Sequence, residues 1–211
     1  MTFEGIDFSG KTTQAEKLVA RLQHQGAEVV FLREPGGTAI SEAIRRILLD
    51  TRHAEMHPRT ELFLYSAARA QMVEQVIRPA LKAGKIVICD RYYDSTTAYQ
   101  GYGRGLDLHM IQTLNEVATN RLKPDLTILI DIPLEIAIKR HRKNGDQKDR
   151  LEKEEWAFHH RVRQGYLELA GKEPGRFLLI DGNRPAQQIH EEIWQRVAER
   201  FNLQVKGTEE L

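Results

Sequence analysis

Eight residues near the start constrain this chain more than any others. Gly5-Ile6-Asp7-Phe8-Ser9-Gly10-Lys11-Thr12 fits the pattern G-x-x-x-x-G-K-[ST]. The pattern carries its own chemistry. Glycines let consecutive backbone N–H groups curl around phosphate oxygens. A helix that starts at the end of the loop turns its positive pole toward the same anion. A lysine in this place reaches the terminal phosphates, and the hydroxyl after it ligates Mg²⁺. Such a loop needs a strand before it and a helix behind it. Residues 2–5 read as a short strand. Residues 11–25 place Leu18, Val19 and Leu22 at helical spacing, and Gly26 is a C-cap candidate. The backbone from Gly5 to Thr13, with the Lys11 ammonium, is therefore expected to hold a nucleoside triphosphate, and Thr12 its metal.

The same alternation continues along the chain. Val29-Val30-Phe31-Leu32, Ile86-Val87-Ile88-Cys89, Leu126-Thr127-Ile128-Leu129-Ile130 and Phe177-Leu178-Leu179-Ile180 read as buried strands. Helical patterns lie between them at 39–49, 58–84 (kinked at Pro79), 107–119, 133–142, 152–170 and 185–201. Strands buried on both faces and separated by helices predict an α/β fold. We expect a five-stranded parallel sheet with helices on both faces, of the P-loop NTPase type, in one domain. The polar stretch 143–150 interrupts the pattern, and residues 202–211 read as a polar tail.

Composition narrows the function. Hydrophobic residues make up 41% and charged residues 29%, and 31 basic against 30 acidic side chains leave a net charge of +1. A global basic footprint for nucleic acid or an anionic membrane is excluded on that balance. No apolar run approaches the length of a membrane span, and the start lacks the basic and apolar regions of a secretory signal. The single cysteine, Cys89, forms no intrachain disulfide. The expectation is a cytoplasmic protein without nucleic-acid or membrane partners. The eight histidines show no metal spacing, and His159 and His160 read as solvated helix residues.

Asp90 and Asp131 each close a strand. Ligands of open α/β sheets sit beyond the carboxyl ends of the strands, so each Asp serves either that site or a helix N-cap. The first reading is preferred for Asp90, which Arg91 follows at once, and the second for Asp131. Arginines recur near strand ends and in one segment: Arg33, Arg45, Arg69, Arg91, Arg140, Arg142 and Arg150. Transfer between two phosphorylated molecules brings like charges together, and rigid cations offset the repulsion.

Several segments together carry a family resemblance. They are Phe3-Glu4-Gly5-Ile6-Asp7 with its loop, Arg33-Glu34-Pro35-Gly36-Gly37-Thr38, Asp90-Arg91-Tyr92, Tyr99-Gln100-Gly101, Pro124-Asp125-Leu126-Thr127 and Asp149-Arg150-Leu151-Glu152. In this order they resemble bacterial thymidylate kinases over nearly the whole chain. The resemblance implies γ-phosphoryl transfer from ATP to dTMP, giving dTDP for dTTP synthesis, with Mg²⁺, in a homodimer. It also implies roles. Asp7 lies near the acceptor sugar and the metal, and Glu34 belongs to the loop closing over the acceptor. Arg45 contacts the acceptor phosphate. Arg91 clamps donor and acceptor phosphates, with Asp90 on the metal side. Tyr65 stacks on the base and Arg69 hydrogen-bonds it. Thr96 and Gln100 read its edge, four residues apart on a helix. Tyr99 crowds the sugar 2′ carbon, and Tyr166 covers the acceptor. Arg140 belongs to the ATP site.

Three positions depart from the commoner family residues. Tyr65 stands for Phe, Thr96 for Ser or Asn, and Phe8 occupies a loop position where one branch carries Arg. Without a loop arginine, a lid at about 139–152 is expected to supply the catalytic cation from Arg142 or Arg150, alongside Lys11 and Arg91. An arginine finger contributes about 10³–10⁵ in rate in related reactions. Two other readings stay open. In a deoxynucleoside kinase Glu34 would act as base toward a hydroxyl, and a regulatory P-loop ATPase would switch conformation on a macromolecular partner.

Overall fold

The short first strand and four apolar runs become one parallel sheet: β1 Thr2–Glu4, β2 Val29–Arg33, β3 Ile86–Asp90, β4 Thr127–Asp131 and β5 Phe177–Asp181. The computed structural model describes residues 1–144, 150–152 and 154–203. The strands run in the order β2-β3-β1-β4-β5, and every neighbouring pair is parallel. The chain leaves β1 toward β2 on one side and later crosses to β4 on the other. The carboxyl ends of β1 and β3 therefore flank a crevice where ligands of such sheets bind.

Helices cover both faces. They are α1 Lys11–His24, α2 Ala39–Leu49, α3 Pro58–Met72, α4 Arg78–Lys82, α5 Tyr93–Thr96, α6 Leu108–Thr119, α7 Leu134–Asn144, α8 Trp156–Lys172 and α9 Ala186–Phe201. One core lies under α1 and α9, built from Phe3, Leu18, Ile88, Ile128, Ile193 and Trp194. A second lies under α8, where Ile6, Tyr99, Leu129, Phe158, Val162 and Tyr166 pack together. Alternate residues of β1 and β4 point to opposite faces, so Phe3 feeds one core and Leu129 the other. Cys89 is buried, and burial pushes its thiol up to about 12.

The expected single helix over 58–84 is broken. A π-helical turn, Val73–Ile77, separates α3 from α4, and Pro79 sits just inside α4. Proline cannot donate to the turn before it and its ring crowds the preceding carbonyls. Widening that turn is one way to keep the helix continuous. A second π-helical stretch, Thr97–Gly103, follows α5 directly. Asp131 corrects the cap reading: its carboxylate takes both Arg163 nitrogens, at 2.7 and 2.8 Å. His159 is buried rather than solvated, whereas His160 is exposed as expected. Trp194 is core, but Trp156 is 42% exposed.

Candidate active site

The loop between β1 and α1 takes its shape from backbone that side chains resist. Gly5 has φ 143°, and a Cβ there would lie 2.5 Å from the Ile130 carbonyl oxygen. Phe8 and Gly10 also have positive φ, 64° and 95°. Gly10 caps α1 without a side-chain bond, and the Gln14 N–H bonds back to its carbonyl at 3.1 Å. The N–H groups of Lys11, Thr12 and Thr13 precede that bond and point out of the helix start, which suits an anion. Burial lowers the Lys11 pKa, as does the like charge of Arg91. Its ammonium lies 3.8 Å from Asp7.

Arg91 follows β3 with φ 73°, an uncommon backbone for a residue with a side chain. That turn aims its guanidinium back across the sheet end. Nη2 donates to Asp7 Oδ1 at 2.5 Å and to the Tyr99 hydroxyl at 3.1 Å. Nη1 donates to the Gly5 carbonyl, Ser95 Oγ and the Tyr166 hydroxyl at 3.1–3.2 Å. Below them, fully buried Glu4 accepts from Tyr92 N–H at 2.7 Å, Ser95 Oγ at 2.6 Å and Tyr166 OH at 2.8 Å. Burial, with Asp94 nearby, raises Glu4 to about 7. Burial pushes Asp7 the same way, but Arg91 and Lys11 hold it well below the usual carboxylate range.

Thr12 Oγ1 donates to Asp90 Oδ2 at 2.5 Å, while the other oxygen, Asp90 Oδ1, is buried without a hydrogen-bond partner among the described residues. A hydroxyl and an unsatisfied carboxylate oxygen beside a phosphate loop fit a hard divalent cation. Among the described residues no three His, Cys, Asp or Glu side chains are grouped to hold a metal alone. Thr12 and Asp90 would therefore share Mg²⁺ with phosphate oxygens, its usual mode.

A cleft of about 200 Å³ opens beside this constellation. Asp7, Lys11, Thr12, Asp90 and Arg91 form its phosphate-loop end, and Glu34, Arg45, Tyr65, Thr96, Tyr99 and Gln100 are in its remaining wall. Arg33, one of the strand-end arginines, Glu152, at the edge of the expected lid, and Ser95, which had no expected role, line it too. Arg45 donates to the Pro35 carbonyl at 3.1 Å, which fixes it on the loop after β2.

Three expected residues stand elsewhere. Arg69 is 1% exposed and lies behind the cleft wall: Nε is 2.6 Å from Glu34, Nη2 donates to Thr96 Oγ1 at 2.7 Å, and Nη1 donates to Asn115 at 3.1 Å. A guanidinium carrying two charge-assisted hydrogen bonds and a buried ion pair is held by the protein first. Tyr166 does not cover the cleft; it is buried beneath Arg91. Arg150 is not a free cation over the loop, because its guanidinium pairs with buried Glu61 and donates to the Leu48 carbonyl at 2.9 Å. Arg142 is exposed on α7. Arg140 donates to the carbonyls of Phe8 and Ser9, at 3.1 and 3.0 Å, and to that of Gly182 at 2.8 Å, clamping the back of the loop. Phe8 fills the place of a loop cation with a ring, 4.7 Å from that of His141 on α7. Of the lid expected at about 139–152, residues 145–149 lie outside the described residues.

Sequence reading missed Glu4 and Glu61. Each carried a signal: Glu4 is a carboxylate closing the strand that leads into the phosphate loop. Glu61 precedes Tyr65 and Arg69 by four and eight residues, on one helix face.

The comparisons agree with this geometry. Residues 3–193 match the family model described as thymidylate kinase. Thymidylate kinase of Chlorobium luteolum is 49% identical over 97% of this chain and 99% of its own. That of Desulforudis audaxviator is 50% identical over 93% and 89%. A crystal structure of thymidylate kinase from Ehrlichia chaffeensis aligns with a TM-score of 0.76 at 36% identity, covering 93% of this chain and 96% of that one. Matched across most of its length by the family model and by relatives near 50% identity, the chain belongs to the thymidylate kinase family.

Proposed function

We propose that this chain transfers the γ-phosphoryl group of ATP to dTMP, giving dTDP and ADP, with Mg²⁺ held by Thr12 and Asp90. One observation carries the acceptor assignment. The cleft wall offers a paired donor and acceptor, facing the phosphate loop across Arg91. Thr96 Oγ1 already accepts from Arg69, a group that only donates, so its own proton is free for a ligand. Gln100 gives its amide N–H to Glu61 at 2.8 Å, which leaves its carbonyl oxygen for the cleft. Thymine offers the converse pair, N3–H and O4.

The acceptor's attacking atom is an ionised phosphate oxygen, so no general base is required. Catalysis then rests on positioning and charge stabilisation. Lys11 and the loop N–H groups hold the donor phosphates. Arg91 bridges the two phosphates, and Asp7 with Tyr99 keeps it in place and meets the sugar. Tyr65 lies along the base, and Arg45 takes the acceptor phosphate. Glu34 and Arg69 brace the base-reading wall. Bound magnesium supplies positive charge to the donor oxygens. Arg140 fixes the loop carbonyls so that the N–H groups point inward.

We also take the working form to be a cytoplasmic homodimer without nucleic-acid or membrane partners. Ile40, Ile47 and Phe63, on α2 and α3, are 45–55% exposed, which suits a covered face. Among the described residues no helix is long and apolar enough to cross a membrane. The deciding experiment mixes the protein with Mg·ATP and dTMP, thymidine or nothing, and follows ADP. ADP formation driven by dTMP alone is expected. Release with thymidine, or with no acceptor, would replace the proposal by a nucleoside kinase or an ATPase.

A further inference from the structure

Glu61 lies in α3, is fully buried and is outside the cleft, yet it gathers four donor atoms from three residues on two other segments. Oε1 accepts from Gln100 Nε2 at 2.8 Å and from Arg104 Nε at 3.2 Å. Oε2 accepts from Arg104 Nη2 at 3.1 Å and from Arg150. Arg104 is itself tied to Glu154 at 2.6 Å. Resting on the dTMP reading above, we infer that Glu61 is a positioning residue for base selection. By accepting the Gln100 amide N–H it turns the Gln100 carbonyl oxygen to the cleft, and so favours a pyrimidine bearing N3–H over one with a bare N3.

Hydrogen-bond polarity fixes the Gln100 amide. An ionised carboxylate only accepts. Burial pushes Glu61 up, but Arg104, the Gln100 amide and Arg150 together hold it below its ordinary value, so it stays ionised. A flipped Gln100 would set its oxygen against that carboxylate and leave two buried acceptors facing each other. The correct orientation is therefore fixed before any ligand arrives. Gln100 and Thr96 are each 1% exposed, so water does not compensate a mismatch. Cytosine presents an acceptor at N3, set against the Gln100 carbonyl oxygen, and a donor at N4, which the Thr96 hydroxyl can meet only by turning its own proton away. A site that pairs a ligand's polar atoms in this way discriminates by about 10⁴–10⁵.

The experiment is kcat/KM for dTMP and for dCMP, with Mg·ATP, in wild type, Glu61→Gln and Gln100→Ala. Wild type is expected to prefer dTMP strongly. In Glu61→Gln the partner amide can donate or accept, which frees Gln100 to present either end. The dTMP/dCMP ratio should then fall at least tenfold, through rising KM for dTMP and improved use of dCMP. In the Gln100→Ala background Glu61→Gln should change the ratio no further. Loss of the carboxylate leaves two arginines short of a partner, so Glu61→Asp serves if Glu61→Gln does not fold. It keeps the charge but withdraws it by one methylene, and the ratio should again fall. A folded Glu61 variant with the wild-type ratio overturns the inference, as does a further loss in the Gln100→Ala background. Wild type without preference for dTMP would instead overturn the underlying reading, so the two failures are distinguishable.

Discussion

The Arg91 guanidinium lies 2.5 Å from the Asp7 carboxylate, joining the end of β3 to the phosphate loop after β1. The contact needs two strained backbones, Arg91 at φ 73° and the loop around Phe8 at φ 64°. Strain of this kind persists only where surrounding contacts over-determine it. Here five acceptors surround one guanidinium. The result is a rigid cation between the two places where phosphates are to meet, set before they bind.

Arg91→Ala should lower kcat by about 10²–10³, the scale of removing one preorganised charge donor, with a smaller change in KM for ATP. Arg91→Lys should recover little, because a point charge cannot span the acceptors that a planar fork does. Steady-state kinetics with dTMP as acceptor test both variants. A lysine variant near wild-type rate would show that charge alone suffices.

The Thr12–Asp90 bond makes a separate case. Asp90 Oδ1 is buried without a partner among the described residues, so the carboxylate is ready for a cation. Asp90→Asn keeps the shape and removes the charge. The Mg²⁺ concentration giving half-maximal rate should rise at least tenfold, and saturating Mg²⁺ should restore part of the activity. Titrating Mg²⁺ at fixed ATP reads this directly. An unchanged midpoint would move the metal away from Asp90.

Much of the architecture was legible because β2 to β5 are mainly apolar runs, most closing in a carboxylate, and the longer helices show their own period. The phosphate loop was legible because its glycines answer a backbone demand. What stayed hidden has a common physical form. Of the two π-helical turns only the first had a mark, Pro79, and that proline signals a kink without fixing its form. Arg69 and Tyr166 are placed in sequence where site residues belong, yet whether a long side chain faces the cleft or the core depends on packing. Here Glu34 and Thr96 draw Arg69 behind the wall, and Glu4 draws Tyr166 beneath Arg91. Glu4 and Glu61 looked like ordinary charges, since one sequence does not show which carboxylates are buried.

Glu4 should also leave a mark on stability. Burial raises its folded value to about 7, above an unfolded carboxyl near 4.3. Between those values the folded protein holds the more protons. The contribution is therefore fully present below about 4.3 and is lost as pH rises through about 7. Glu4→Gln removes the titration, so its stability should change less between pH 5 and 8 than that of wild type. Urea unfolding across that range measures the difference. Parallel curves for the two proteins would show that Glu4 does not titrate there.

The two lid arginines should now separate. Arg150 is buried on Glu61, whereas Arg142 is exposed on α7. A cation that must reach developing charge only when the site closes has to be free of a buried carboxylate beforehand, and of the two only Arg142 meets that condition. Arg142→Ala should lower kcat at least tenfold and leave KM for dTMP near wild type. Arg150→Ala removes one of the two arginines that keep Glu61 charged. It should act mainly through KM for dTMP and through lower stability, since breaking a buried pair costs about 3–5 kcal/mol. Parallel kinetics and thermal melts of the two variants distinguish these outcomes. A large kcat loss in Arg150→Ala with unaltered KM and melting would return the catalytic role to Arg150, and would require its pair with Glu61 to open during turnover.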